Sequence, residues 1–269
     1  MADGVSPQAS DRWPGMSGAD PCRIRLRSIA LRSGVTPISR IAGVLPLSLR
    51  FGGMMGVTIG SNRHSSVTLY SHSNSLYSHL VRFVMSEKNV VYDLAEVDDP
   101  KNAALLHETS PYNEVPTLVD RDLVVYNTSI ILEYLDERYP HPPLMPVYPI
   151  SRAETRVLLY RIRQDWYSLA QKVISEKDAV AARDLKVTLL SSSEAVRDSE
   201  FFLGDEFSMI DCYLAPLLWR LPMMNIALDG PYAAAWKKYT NMLFSRDTFK
   251  ASLTHEEINQ RALYESGRK

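Results

Sequence analysis

The chain has 269 residues, the length of one or two domains, and its 45% hydrophobic and 23% charged residues fit neither a disordered tail nor a membrane bundle. Thirty Lys and Arg stand against 31 Asp and Glu, a net charge of −1, which excludes the basic footprint of non-specific nucleic-acid binding. Direct sequence-specific nucleic-acid binding is not expected, and any role in transcription would run through protein contacts. Cys22 and Cys212 lie far apart, with no CxxC pair and no Cys/His ligand spacing, so neither a disulfide scaffold nor a metal site is expected. No cofactor is expected, and a reducing cytoplasmic setting fits.

That average hides an uneven chain. Residues 1–65 hold eight Arg, no Lys and three Asp, a local charge of +5 that leaves −6 for the rest. Their best apolar stretch, residues 41–49, is closed by Arg40 and Arg50 and is far shorter than the ~20 apolar residues that span a bilayer. The segment reads as a transit peptide, a disordered partner-binding arm, or translated sequence upstream of a start at Met54 or Met55. The absence of Lys before Lys88 favours the last.

From Ser66 the pattern becomes regular. Val67 to Tyr70 forms a β-rich run and ends in the turn-forming residues 71–75. Leu76, Leu80, Phe83 and Val84 then recur at helical spacing. Val90 to Val97 reads as a second strand, and Pro100 to Glu108 as a helix entered through Asp98 and Asp99. Val115 to Val119 and Leu123 to Tyr126 form a hairpin around Asp120-Arg121-Asp122, followed by a helix from Ser129 to Tyr139 with Asn127 or Thr128 as N-cap. Residues 66–139 thus run β-α-β-α-β-β-α. A helical crossover makes the first two strands parallel and the hairpin adds antiparallel pairs, giving a small mixed sheet.

Five prolines in residues 140–149 exclude helix and central strand and predict an extended connector. Beyond it, residues 150–265 read as all helix. One helix is expected from Ser151 to about Ile174, a second from Ala179 to Arg197, one from Tyr232 to Phe244 and a last from about Thr248 to Leu263. Ser208 and Asp211 form a capping box at the start of an apolar helix that runs to Leu221. The arginines of the first of these helices, and Trp166, Tyr167, Trp219 and Trp236, read as a salt-bridged face and as packing residues.

With these elements in place a resemblance can be stated. An α/β unit in which Val115-Pro116 opens the third strand, a proline linker and a helical domain with a Ser-x-x-Asp box are similar to the cytosolic glutathione S-transferase fold, a thioredoxin-like domain followed by an all-α domain. The strings Tyr77-Ser78-His79-x-Val81-Arg82, Val115 to Arg121, Glu133 to Pro149 and Phe207 to Pro222 resemble the stringent starvation protein A family over residues 66 to about 255. That resemblance implies a homodimer that associates with RNA polymerase holoenzyme in the starvation and stress response. It also associates the surface formed by Pro140, His141, Pro142 and Pro143 with polymerase binding.

In this fold a cis peptide before Pro116 would turn the Val115 backbone toward a cleft that takes a peptide-like ligand. A transferase would need a hydroxyl or thiol after the first strand to stabilise a thiolate, and Ser71, Ser73, Asn74, Ser75 and Tyr77 crowd that place. Such a Ser/Asn-rich turn is also an ordinary loop. The site departs from the transferase pattern at Asn127-Thr128, where an acidic residue and Ser are usual. The partner for a glutamyl ammonium is missing, so a charge-assisted hydrogen bond falls to a neutral one. The expectation is a vestigial glutathione site at Ser71, Ser73, Val115, Pro116, Asn127 and Thr128, with no catalytic residue. The rival reading is a glutathione-dependent transferase or isomerase using residues 71–75, and a third is a small-molecule sensor that keeps the cleft without the chemistry. His141, with no second ligand at metal spacing, reads as part of the docking edge.

Overall fold

The computed structural model describes residues 66–267, and the expectations for residues 1–65 lie outside the described residues. Four strands, β1 (Val67–Ser71), β2 (Asp93–Glu96), β3 (Thr117–Asp120) and β4 (Leu123–Tyr126), form one sheet in the order β2-β1-β3-β4. β1 pairs parallel to β2 and antiparallel to β3, which pairs antiparallel to β4. Leu69, Leu118 and Val125 stand in register across three strands and are buried, which anchors the apolar face of the sheet. α1 (Leu76–Glu87) crosses between β1 and β2, α2 (Pro100–Thr109) follows β2, and α3 (Thr128–Arg138) follows β4.

α1 is buried along nearly its whole length. It packs against α3 on one side and, on the other, against two helices of the second half, α8 (Met209–Arg220) and α10 (Asp247–Ser252). A helix buried on every side needs apolar residues or paired polar ones, and α1 has both: Leu80, Val81, Phe83 and Val84 beside His79 and Arg82. One contiguous core therefore runs from β1 through α1 to Trp236 and Phe249.

β2 is shorter than the expected Val90 to Val97. The Val90 N–H is used by the turn that ends α1, donating to the Met85 carbonyl at 2.9 Å, and Asn89 takes a left-handed conformation at φ 52°. The hairpin and α3 form as expected, α3 within one residue at each end, but β3 starts at Thr117 and not at Val115. The Val115–Pro116 peptide is cis and precedes the strand, and Asp120, expected in the turn, pairs with Leu123 as the last residue of β3.

After the connector, α4 (Pro149–Arg161), a π-helical turn (Ile162–Tyr167) and α5 (Ser168–Glu176) replace the single helix expected from Ser151 to Ile174. The expected helix from Ala179 to Arg197 is likewise divided, into α6 (Ala179–Ser191) and α7 (Glu194–Arg197). Its interruption is chemical: the hydroxyls of Ser191, Ser192 and Ser193 donate to the carbonyls of Thr188 and Leu190, competing with the helix for its acceptors. α8 is followed by α9 (Ala233–Ser245). The expected terminal helix is split into α10 and α11 (His255–Ser266), because Thr254 and Glu257 form a second capping box that starts a new helix.

Candidate functional site

A cleft of about 430 Å³ lies among Tyr77, Glu114, Val115, Pro116, Asn127, Thr128, Arg163, Gln164 and Ser168. Four of the expected site residues meet here. Val115 and Pro116 enter from the cis peptide ahead of β3, and Asn127 and Thr128 from the start of α3. Asn127 caps that helix, its Oδ1 accepting from the Ser129 N–H at 3.1 Å, with φ at 68°. The cap therefore engages the Oδ1 acceptor, the atom that a ligand's ammonium would need, and leaves only the Nδ2 donors uncommitted by this bond. Opposite, the π-helical turn brings Arg163 and Gln164 onto the cleft, and the Arg163 Nη1 donates to the Ser129 hydroxyl at 3.1 Å. Burial pushes the Tyr77 phenol up, and the nearby Arg163 guanidinium works in the opposite sense. The acid lining this cleft is Glu114, which is exposed. Of the other lining residues, Tyr77 is among the hydroxyls that the sequence places after the first strand, Arg163 reads there only as one of the arginines of a salt-bridged helix face, and Gln164 and Ser168 carry no signal in the sequence.

Ser71 and Ser73 are not brought to this cleft, contrary to expectation. Ser71 is fully buried, and its hydroxyl accepts from the Arg82 Nη1 at 2.7 Å. The Ser73 N–H donates to Asp98 Oδ2 at 2.9 Å, and its carbonyl accepts from the Thr254 hydroxyl at 2.8 Å. Ser75 is the N-cap of α1. The loop is thus tied down by structural bonds from α1 and Asp98 and, through Thr254, from the C-terminal segment, and a local reading of the Ser-rich turn could not reveal the last of these.

The ties belong to a buried polar network. Arg82 sends its Nη2 to both oxygens of Glu257 at 2.8 Å and its Nε to the Ser252 carbonyl at 2.9 Å. Arg220 also pairs with Glu257, and its Nη1 donates to His79 Nδ1 at 2.9 Å. A guanidinium has no acceptor to offer, so His79 Nδ1 presents a lone pair. Its proton is then on Nε2, which faces the Ser252 hydroxyl at 3.1 Å. Burial holds the His79 imidazole well below its ordinary value, and the Arg220 and Arg82 charges act in the same direction. Arg220 is itself lowered by burial, against the pull of Glu257.

The second expected site is the proline edge. Pro140, His141, Pro142 and Pro143 are all exposed, while Leu144 and Met145 just after them are buried and anchor the connector. Under the loop the Lys88 Nζ donates to the Pro142 carbonyl at 2.6 Å and to Asp136 Oδ1 at 2.7 Å, and the same oxygen accepts from the Leu144 N–H at 3.1 Å. The Leu144 carbonyl in turn accepts from the Met209 N–H at 2.8 Å, which ties the connector to α8. Among the described residues no cluster of His, Cys, Asp and Glu could hold a metal ion, and no helix is long and apolar enough to cross a membrane.

Ser208 and Asp211 form the expected capping box. Asp211 does more than cap: it is buried, and its Oδ1 accepts from the Phe202 N–H at 2.9 Å and from the Tyr239 hydroxyl at 2.7 Å.

A sheet of this order, a cis-proline cleft and a helical second half define the glutathione S-transferase class. The family models for the N-terminal and C-terminal domains of glutathione S-transferase match residues 69–143 and 164–242. The Tau class glutathione S-transferase of mango, Mangifera indica, superimposes with a TM-score of 0.63 at 19% identity, covering 74% of this chain and 97% of that one. Within that class the chain belongs to the stringent starvation protein A family. It is 44% identical over 200 residues to the stringent starvation protein A homolog of Pasteurella multocida, which covers 73% of this chain and 94% of that protein. The homolog of Coxiella burnetii is 42% identical over 203 residues, 74% of this chain and 97% of that protein.

Proposed function

We propose that this protein regulates transcription in the starvation and stress response by docking its Pro140–Pro143 edge on RNA polymerase in the cytoplasm, as a homodimer without transferase activity. The observation that carries the reading is the edge itself, four exposed residues of which three are prolines with ring-restricted backbone, set between the capped end of α3 and the buried anchors Leu144 and Met145. A segment already restricted in φ loses little conformational entropy on docking. Residue exposure at this density of prolines suits a recognition surface more than a passive connector, whose sequence could be any polar run.

The absence of transferase chemistry is supported by two features. Asn127 stands where a glutamyl ammonium would need an acid, and the Ser71 hydroxyl is held by Arg82 inside the fold. The rival reading, a glutathione-dependent transferase or isomerase using residues 71–75, requires a hydroxyl of Ser71, Ser73 or Ser75 to face a thiol in the cleft.

Replacing Pro140, His141 and Pro142 together by Ala tests the docking edge. Secondary structure, melting temperature and dimerisation are expected to stay as in the wild type, while co-purification with polymerase falls. Wild-type polymerase affinity in this variant would move the recognition surface elsewhere, and loss of folding would make the segment a structural clamp. On a glutathione column the wild type is expected to pass unretained and to show no conjugation of a standard electrophile. Turnover that vanishes in Ser71→Ala or Ser73→Ala would promote the enzyme reading.

A further inference from the structure

Lys88 carries a buried charge that its own helix does not require. It is the C-cap residue of α1, its side chain has no exposure, and its ammonium has left water for one carboxylate and one carbonyl. Desolvating such a pair costs more than an apolar side chain of similar volume would, so stability alone is a poor reason for it. What the pair does is geometric. Its acceptor beyond Asp136 is the carbonyl of Pro142, and Asp136 Oδ1 holds the N–H of Leu144, so the two groups fasten the chain on both sides of Pro143. The other Asp136 oxygen faces Arg152 Nη2 at 3.7 Å, which keeps the carboxylate turned toward the loop.

The loop cannot supply these bonds itself. Three of the four residues from Pro140 to Pro143 are prolines without an N–H, so no ladder or turn of their own can fix where the rings stand. We propose that Lys88 and Asp136 are positioning residues for the docking edge: they hold the Pro142 carbonyl inward and so present the His141 imidazole and the proline rings outward in one arrangement before a partner arrives. This rests on the reading that the edge docks on polymerase, and it adds the two residues that pre-organise it. Neither touches the partner. Their contribution is the ordering that docking would otherwise have to impose.

The test uses Lys88→Met/Asp136→Asn, which removes both charges together and leaves neutral groups of similar volume in the core. Amide exchange across residues 139–145 is expected to rise at least about tenfold while α1 and α3 exchange as before, and polymerase affinity is expected to fall at least about fivefold. Unchanged exchange in the loop overturns the proposal. So does wild-type polymerase affinity in the double variant when Pro140→Ala/His141→Ala/Pro142→Ala has lost it. If the triple variant keeps wild-type affinity, the docking reading fails and the positioning role falls with it, while loop exchange still reports whether the clamp holds. The wild-type protein offers a check that does not depend on a variant folding. Its Leu144 amide is expected to be protected at least about tenfold over an exposed loop amide, and free exchange there overturns the clamp.

Discussion

Asp211 shows how far one side chain exceeds the motif that announces it. As half of a capping box it accepts from the Ser208 N–H and hydroxyl, at 2.9 and 3.1 Å, yet its other oxygen serves Phe202 and Tyr239. Burial pushes this carboxyl up even though four hydrogen bonds favour its charge. The two members of the box should therefore differ. Ser208→Ala is expected to cost about 0.5–2 kcal/mol, the usual loss for an N-cap. Asp211→Ala should cost about 2–4 kcal/mol, because buried donors on Phe202 and Tyr239 are left without an acceptor. Urea midpoints of the two variants check the order, and equal midpoints would reduce Asp211 to an ordinary cap.

Among the elements, α11 has the least apolar sequence and the most far-reaching contacts. Only Glu257 of its residues is buried, so the helix is held less by a greasy face than by its first turn. Thr254 accepts from the Glu257 N–H at 3.2 Å and donates to the Ser73 carbonyl at 2.8 Å, so one hydroxyl starts the helix and fastens the β1–α1 loop. Thr254→Ala is expected to destabilise by about 1–2 kcal/mol, and Thr254→Ser to recover most of it, since only the hydroxyl is at stake. Denaturant titration of the pair decides, and a loss that Ser does not restore would point to the methyl group and packing instead.

For the molecule as a whole, the network around Glu257 joins α1, α8 and α11 across a distance of up to 175 residues in sequence. Its neutral member gives the fold a pH dependence whose sign follows directly. His79 is held well below its ordinary value, so on acidification the unfolded chain takes up a proton that the folded one refuses. The stability it permits is present in full above about pH 6.5 and is lost as pH falls below that, at up to about 1.4 kcal/mol per pH unit. The groups facing it, Arg220, Arg82 and Glu257, include two cations, so protonation gains little from the surroundings. His79→Gln, which can still accept from Arg220 and donate to Ser252, is expected to flatten the stability profile between pH 6.5 and 5. A slope identical to wild type would assign the dependence to other groups.

What the sequence by itself determined is local. The β-α-β-α-β-β-α order, the hairpin at Asp120 to Asp122, the Ser208 box and the irregular connector follow from spacing, caps and proline content, all of which act within a few residues. Four site residues were legible for the same reason, as Val115-Pro116 and Asn127-Thr128 mark the ends of elements. The splitting of the terminal helix was present in Thr254 and Glu257 and went unread because the apolar period ran past it. Tertiary structure alone decided the rest: that Ser71 faces Arg82 and not the cleft, that a π-helical turn brings Arg163 to Ser129, and that Lys88 reaches a carbonyl 54 residues away. Each of these is a choice of partner by a polar group, and desolvation makes that choice. A buried charge or hydroxyl must find the donor or acceptor that packing brings beside it, and packing is fixed by elements distant along the chain.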